Sequence, residues 1–430
     1  MFLAALALRL AWILIFRSYI FPLLFLPPPF SIGDPHFQFG NEIGSIAHSI
    51  ATGQGFGSPF GPITGPTAWI APVYPYLCAA VFKVFGVFTP ASAFVMLSLN
   101  SIFSALTCVP LYRICERTMG HAVGLFTGWT WALLPYFMLW PATLIWETSL
   151  VPLLLAYLLL MTLELEDTAN TNRWSRWLMF GLLWGVALLT NPGILTFLPV
   201  SFGWLVYRRW AEKERLLRPA TMALVMCALV VMPWLARNRI VFGQFVFIRS
   251  NFGFEFHLGN YHLSNGLGWA GKHPSENKSE RDQYARMGEI AYVAAKRDEA
   301  VEFVRRYPRE FFQLTVKRVY FFWSDELLLY ARNVPLAWMY GLLSLTAPLG
   351  LLFAVRDKVK GAGLMLGVIL VYPLPYYVAF PQLRNRHAIE PELLALSVYF
   401  LVALSRQLRI VRETPRGYSP PSAAFPRAVP

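Results

Sequence analysis

The stretch IWETSLVPLLLAYLLLMTL, residues 145–163, contains a single charged residue and is otherwise almost entirely apolar. An apolar run of about 20 residues is long enough to cross the hydrocarbon core of a bilayer as a helix. Similar runs recur along the whole chain, and spans are predicted at 3–27, 91–112, 121–139, 145–163, 177–190, 193–207, 219–236, 334–355, 361–380 and 389–405. The sequence therefore predicts an all-α integral membrane protein with about ten transmembrane helices.

The overall composition indicates that lipid covers much of this chain. Apolar residues make up 56% of its 430 residues and charged residues 14%, which is about half the charged share of a soluble globular protein. This composition excludes a disordered chain and a collagen-like fibre. The four cysteines lie in or beside apolar stretches, so no disulfide scaffold is indicated. The formal net charge of +13 is attributed to cytoplasmic loops and not to a nucleic-acid partner.

The distribution of basic residues indicates the orientation of the spans. The predicted first outer loop, residues 28–70, contains no Lys or Arg. With the N-terminus inside, the predicted cytoplasmic loops all carry basic residues, as the positive-inside rule requires. Residues 71–88 would reverse this pattern if they crossed the membrane, so they are predicted as an amphipathic or re-entrant helix on the outer side. Both termini are thus predicted to be cytoplasmic.

Four parts are predicted along the chain. Residues 1–236 form an N-terminal transmembrane module, which includes a long first outer loop at 28–90. Residues 237–333 contain 15 basic and 11 acidic residues, so they are predicted as a small extracytoplasmic loop domain of amphipathic helices. Residues 334–405 hold the C-terminal transmembrane helices. The tail at 406–430 is rich in Pro and Ser and is predicted to be a disordered cytoplasmic segment.

Three acids at the predicted outer boundary are candidates for catalysis. Asp34 and Glu42 are the only acids of the loop 28–70. Asp34 is either a turn or helix-cap residue or a general base, and Glu42 is either a first-turn partner of a helix dipole or a competing base. Glu147 opens the fourth span, where a carboxylate is costly and indicates a functional site unless it simply reaches water.

Basic residues gather between the last two predicted spans. The sequence RNRHAIEP, residues 384–391, places Arg384, Arg386 and His387 on the outer side, against the positive-inside trend. Guanidinium groups offer forked donors to phosphate oxygens, so a phosphate site is predicted; the alternative is an anchor for lipid headgroups. No metal-ligand spacing, Walker A sequence or dinucleotide fingerprint occurs, and no metal site is predicted.

These motifs together resemble the integral-membrane GT-C glycosyltransferases. The acidic first outer loop, the segment GPTAWIAPVYPYLCAAVFKVFG at 65–86, the acid that opens the fourth span and the late RNRHAIEP loop carry this resemblance. The chain looks most like the bacterial relatives of protein O-mannosyltransferase and lipid A aminoarabinose transferase. The resemblance implies a glycosyltransferase of the bacterial inner membrane, which moves a sugar from a polyprenyl-phosphate carrier to an acceptor lipid, glycan or protein on the outer face.

The resemblance also implies roles for single residues. Asp34 matches the family's catalytic base, but Pro35 interrupts the usual acid pair, and Glu42 competes for the role. Glu147 matches a second family acid. The segment WIAPVYPYL, which contains Trp69 and Tyr74, resembles a substrate-contacting stretch. The family's phosphate-binding Lys is absent from it, so binding of the carrier phosphate is assigned to the cluster Arg384, Arg386 and His387.

The implied reaction requires no nucleotide and no obligatory cofactor. A divalent cation is compatible with the acids and His36 of the first outer loop. Two alternative functions remain open. One is a ligase or polymerase that moves a whole glycan. The other is a transporter or lipid flippase, for which ionisable residues near the membrane midplane and repeated halves are expected.

Overall fold

The computed structural model describes residues 1–20, 39–61, 64–167, 174–211, 217–262, 264–268, 270–324 and 334–413. Within these ranges the chain is helical and forms no β-strand, with one isolated bridge between Gly57 and Pro66. The α-helices are α1 (Phe2–Ile15), α2 (Glu42–Ala51), α3 (Val73–Phe85), α4 (Pro90–Leu106), α5 (Cys108–Thr118), α6 (His121–Leu133), α7 (Leu139–Thr143), α8 (Leu150–Leu165), α9 (Trp174–Thr190), α10 (Phe197–Ala211), α11 (Leu217–Phe242), α12 (Phe252–Gly259), α13 (Lys278–Met287), α14 (Glu289–Arg306), α15 (Pro308–Trp323), α16 (Val334–Arg356), α17 (Ala362–Val371), α18 (Leu374–Val378), α19 (Leu383–Arg386) and α20 (Glu390–Glu413).

The predicted all-α membrane architecture is confirmed, with a smaller number of full-length spans. Five helical stretches of the described chain are long and apolar enough to cross a membrane: Pro90–Thr118, Glu147–Leu165, Leu217–Phe242, Val334–Arg356 and Leu383–Leu408. A sixth span results if α6 and the segment Pro135–Thr143, which meet at 60°, are counted as one. The remaining predicted spans contain apolar helices of 10 to 17 residues: α1, α9, α10 and α17.

The predicted helix over residues 71–88 forms as α3 and is 13 residues long. At about 1.5 Å per residue, a helix of this length is too short to cross a hydrocarbon core of about 30 Å. It packs against α2 and α4. Helices α2, α3 and α4 therefore form one packed unit.

Glycines allow two pairs of helices to approach each other closely. A Cβ atom at Gly350 of α16 would lie 1.9 Å from the carbonyl oxygen of Leu396 in α20, and one at Gly181 of α9 would lie 2.1 Å from that of Ala223 in α11. In lipid, the hydrophobic effect does not drive helices together, because the acyl chains are as apolar as the helix surfaces. Helices therefore associate through close van der Waals contacts of this kind. The contact between Gly350 and Leu396 helps to position α20 in the bundle. It thereby also positions the RNRHAIEP segment, which leads into α20.

A buried arginine stabilises the break between α6 and Pro135–Thr143. Pro135 has no N–H, so it cannot donate to the carbonyl of Trp131 four residues earlier. The guanidinium of Arg9, fully buried in α1, donates instead to Trp131 O at 3.0 Å and to Ala132 O at 3.2 Å. Its Nε donates to Ser104 Oγ at 3.1 Å. The carbonyl oxygens that the break leaves without a backbone donor thus accept hydrogen bonds from the buried Arg9 guanidinium.

The segment before α3 and the loop before α12 are joined by hydrogen bonds to Glu289. This buried carboxylate accepts hydrogen bonds from Ala68 N, Ser250 Oγ and Tyr284 OH, each at 2.7 Å, and from Thr67 Oγ1. In addition, Ser250 N donates to Ala68 O at 2.9 Å. The segment before α3 and the loop before α12 therefore form one packed layer.

Candidate active site

Three carboxylates and two guanidinium groups converge at one end of the bundle. Glu42 begins α2, Glu147 precedes α8 and Glu255 lies in α12. Arg249 and Arg384 both act electrostatically on all three carboxylates. These residues come from four separate segments of the chain. The convergence brings together the predicted residues Glu42, Glu147 and Arg384, and it adds Arg249 and Glu255.

The turn between α9 and α10 supports Glu147. The sequence Asn191-Pro192-Gly193 ends α9, because Pro192 cannot continue the hydrogen-bond pattern of the helix. Asn191 Nδ2 donates to Glu147 Oε1 at 3.4 Å, and its Oδ1 accepts from Gly193 N at 2.8 Å. The other oxygen, Glu147 Oε2, is buried without a hydrogen bond from the described residues. A buried carboxylate of this kind depends on nearby positive charge, which Arg249 and Arg384 provide.

Glu42 faces a neutral histidine of the segment between α12 and α13. His273 Nε2 lies 3.2 Å from Glu42 Oε1. Burial lowers the pKa of His273 to about 4, so its imidazole is neutral near pH 7. Its Nδ1 accepts the backbone N–H of Ser275 at 3.2 Å, which leaves the ring proton on Nε2 beside Glu42. Burial also raises the pKa of Glu42 above its ordinary value.

Arg384 and Arg386 stand on one short helix but take opposite directions. Residues two positions apart on a helix are separated by about 200° around its axis. The Arg384 guanidinium lies 4.2 Å from the ring centroid of Trp146, next to Glu147. Arg386 instead points into the bundle and is completely buried. Helical rotation therefore separates the two arginines that the sequence analysis grouped together.

Arg386 and His387 bind groups within the protein. The Arg386 guanidinium donates to Ser344 Oγ at 2.6 Å and to Tyr136 OH at 3.2 Å, and it pairs with Glu390 at 3.4 Å. His387 Nδ1 lies 2.6 Å from the other Glu390 oxygen. Both side chains are fully buried, and this network links α19 and α20 to α16. Both side chains thus have partners inside the protein, and direct phosphate contact by Arg386 and His387 stays a prediction.

Trp69 and Tyr74 form the inner wall of the site. Trp69 is buried among aromatic rings, and its carbonyl accepts Arg249 Nε at 3.0 Å. Tyr74 is also buried, and its hydroxyl donates to Asn100 Oδ1 at 2.9 Å. Neither side chain has an exposed face, so direct substrate contact by these two residues stays a prediction. Their contacts position Arg249 and the wall near Glu147.

The predicted base Asp34 lies outside the described residues, as does His36, which the sequence leaves compatible with a divalent cation. Among the residues that are described, no group of three or more His, Cys, Asp or Glu side chains is arranged to hold a metal ion. Arg249, Glu255 and Asn191 are not among the site residues predicted from the sequence. A signal for two of them was present, because Arg249 and Glu255 are the charged residues of an aromatic-rich stretch, FVFIRSNFGFEFH at 245–257.

Comparison with known proteins identifies the fold. Residues 69–236 match the family model described as dolichyl-phosphate-mannose-protein mannosyltransferase. The oligosaccharyltransferase AglB from Archaeoglobus fulgidus, solved in complex with an inhibitory peptide and a dolichol-phosphate, has a TM-score of 0.50 at 14% identity, over 96% of this chain and 51% of that one. ArnT from Cupriavidus metallidurans, solved bound to undecaprenyl phosphate, has a TM-score of 0.43 at 15% identity, over 90% of this chain and 77% of that one.

No curated protein sequence matches the chain. The chain spans about half the length of the archaeal oligosaccharyltransferase whose fold it shares. The matched family segment contains Trp69, Tyr74, Glu147 and Asn191, and so includes one of the converging carboxylates. On its helical architecture and apolar spans the chain is a multi-pass membrane protein, and it shares its fold with the archaeal oligosaccharyltransferase.

Proposed function

We propose that this protein is a glycosyltransferase that moves a sugar from a polyprenyl-phosphate carrier to an acceptor hydroxyl at the outer face of the membrane. The observation that carries the proposal is the convergence of Glu42, Glu147 and Glu255 with Arg249 and Arg384. The family match over residues 69–236 supports it, since dolichyl-phosphate mannose is a sugar on such a carrier.

Glu42 is the proposed general base. The acceptor oxygen attacks the anomeric carbon while the bond from that carbon to the phosphate oxygen breaks, and the polyprenyl phosphate leaves with the bonding electrons. The Glu42 carboxylate takes the hydroxyl proton as the new glycosidic bond forms. Glu42 is favoured over Glu147 because its nearest ionisable neighbour, His273, is neutral and forms no ion pair with it. Glu147, by contrast, follows Trp146, and the Arg384 guanidinium packs on the Trp146 ring.

Arg249 and Arg384 are the proposed ligands of the carrier phosphate. The leaving phosphate gains negative charge in the transition state, and preorganised guanidinium groups stabilise that charge. Glu147 and Glu255 act as counter-ions that hold the two arginines in place before the donor binds. Burial raises the pKa of Glu42 and of Glu255 above the ordinary value of a glutamate.

The proposed location is the inner membrane of a bacterium, with the active site on the outer side and both termini inside. Support comes from the first outer loop, residues 28–70, which lacks Lys and Arg. We expect a cysteine at Ser279 to react with an impermeant maleimide in intact cells, and one at Lys358 to react only after permeabilisation. Both positions are exposed, and the four native cysteines are buried. Labelling of position 358 in intact cells would reverse the orientation.

The proposed reaction is tested with membranes that contain the protein. We expect label from radiolabelled undecaprenyl-phosphate sugars to move from the carrier into other lipid, glycan or protein material, and nucleotide sugars supplied alone to be inactive. Transfer is expected to continue in EDTA, because the two arginines provide the positive charge at the phosphate. Membranes without the protein are the control. Movement of the intact labelled carrier across the bilayer without transfer would indicate a flippase instead.

A further inference from the structure

Helix α15 presents three distinct faces around its axis. Its buried face consists of Leu314, Arg318 and Phe322, which recur every four residues. A second face is apolar yet exposed: Phe312 is 68% exposed, Val316 52% and Tyr320 56%. Between the exposed apolar face and the buried face lies a polar stripe of Arg309, Gln313 and Lys317, all exposed. With about 100° between successive residues, these three sets occupy adjacent sectors of the helix.

The buried face attaches α15 firmly to the outer layer. Arg318, which has no exposed surface, donates from Nε to Gly266 O at 3.2 Å and from a terminal nitrogen to Val378 O at 3.0 Å. Its other terminal nitrogen donates to Asn260 Oδ1 at 2.9 Å. One side chain thereby joins α15 to the stretch that follows α12 and to the end of α18. The rotation of α15, and hence the direction of its exposed apolar face, is determined by these bonds.

The C-terminal end of α15 is held at a membrane span. Tyr340 lies in the span Val334–Arg356, and its hydroxyl donates to Phe322 O at 2.6 Å. Trp323 Nε1 donates to Tyr377 OH, in α18, at 2.7 Å. These contacts place the end of α15 beside the first turns of the span. The helix itself contains Arg309, Glu310, Lys317 and Arg318, a charge content that argues against its crossing the hydrocarbon core.

We propose that α15 is an interfacial helix that lies in the outer leaflet, with Phe312, Val316 and Tyr320 among the acyl chains and Arg309 and Lys317 on anionic lipid headgroups. An amphipathic helix with a basic polar face binds lipid surfaces in this way. A lipid surface is favoured as the partner because the apolar face begins at the membrane span itself and a basic stripe borders it. The outer layer that carries Arg249 and Glu255 is then seated on the membrane surface.

The proposal is tested by spin labels at matched positions of the full chain in nanodiscs. A nitroxide at Val316→Cys is expected to collide more with oxygen than with a water-soluble nickel chelate. One at Gln313→Cys, on the polar stripe, is expected to show the opposite preference. Both sites are on exposed faces of α15, so the substitutions leave its packing intact, and the unsubstituted chain measures background labelling. Equal chelate access at both positions would overturn the proposal, as would loss of access to both reagents at position 316.

The basic stripe is tested by lipid composition. In phosphatidylcholine mixed with phosphatidylglycerol, the label at position 316 is expected to lie deeper than in phosphatidylcholine alone. The double change Arg309→Gln and Lys317→Gln should abolish this difference, since it removes the positive charge and leaves a polar side chain at each position. A depth that responds to phosphatidylglycerol equally with and without these two charges would contradict the assigned role of the stripe. None of these measurements depends on sugar transfer.

Discussion

Replacement of Glu42 by Gln is expected to lower the rate of sugar transfer by about 10²- to 10⁴-fold, the usual contribution of a general base. The amide keeps the size of the side chain and its position beside His273, but it cannot take the acceptor proton. The variant should accumulate in membranes and unfold at nearly the temperature of the unsubstituted protein. Glu302→Gln, on the exposed side of α14, is the matched control and should transfer at the full rate.

The pH dependence of transfer provides a second measurement on Glu42. A general base acts only when it is deprotonated, and an unperturbed Glu has a pKa of about 4.3. Burial raises the pKa of Glu42, so the rate should fall during acidification at a pH above that value. The residual rate of Glu42→Gln should lack this acidic limb. If Glu42→Gln both lowers the rate and removes the acidic limb of the pH profile, the variant has lost a base. A damaged fold would lower the rate and leave the limb in place.

Asp34 is tested in parallel, because the resemblance assigns the base to it. With Glu42 as the base, Asp34→Asn should retain most of the transfer activity. If Asp34→Asn is inactive and Glu42→Gln is active, Asp34 is the general base. Full activity of both variants would contradict a carboxylate base from the first outer segment.

Replacement of Arg384 by Ala is expected to weaken the binding of undecaprenyl phosphate by about 10- to 150-fold. A hydrogen bond to a charged group contributes about 1.5–3 kcal/mol, and each 1.4 kcal/mol corresponds to about tenfold in affinity. Arg384→Lys should restore only part of the affinity, since an ammonium group supplies charge without the planar fork. The measurement is a titration of purified protein with undecaprenyl phosphate, which requires no acceptor. Arg249→Ala should show a loss of similar size.

Arg386 provides the sharpest contrast with Arg384, because the two arginines are close in sequence and differ in surroundings. Arg386→Ala leaves Glu390 buried without this partner, and breaking such a pair costs about 3–5 kcal/mol of unfolding free energy. We expect a lower unfolding temperature, whereas the folded fraction should bind undecaprenyl phosphate with nearly its original affinity. A stable Arg386→Ala protein with the binding loss expected for Arg384→Ala would exchange the two assignments.

Much of the membrane architecture follows from local sequence. The span at 145–163 appears as Glu147–Leu165, and the apolar stretch at 71–88 appears as a helix too short to cross the bilayer. Both features depend on the length of an apolar run, which the chain carries within a single segment. The number of spans was harder to predict. Bends such as the one at Pro135 divide an apolar run into shorter helices, and neighbours such as Arg9 must satisfy the carbonyls that the bend exposes.

The sequence by itself determined the fold class and three members of the candidate site, Glu42, Glu147 and Arg384, because charged groups at the ends of apolar runs are conspicuous. Only the tertiary structure decided that Arg249 and Glu255 join them, since these residues belong to a segment distant in sequence that Glu289 fastens to the segment before α3. It also decided between Arg384 and Arg386. Rotation of about 100° per helical residue turns one guanidinium toward the carboxylates and the other toward Glu390, and the packing of α19 and α20 selects which one faces the site.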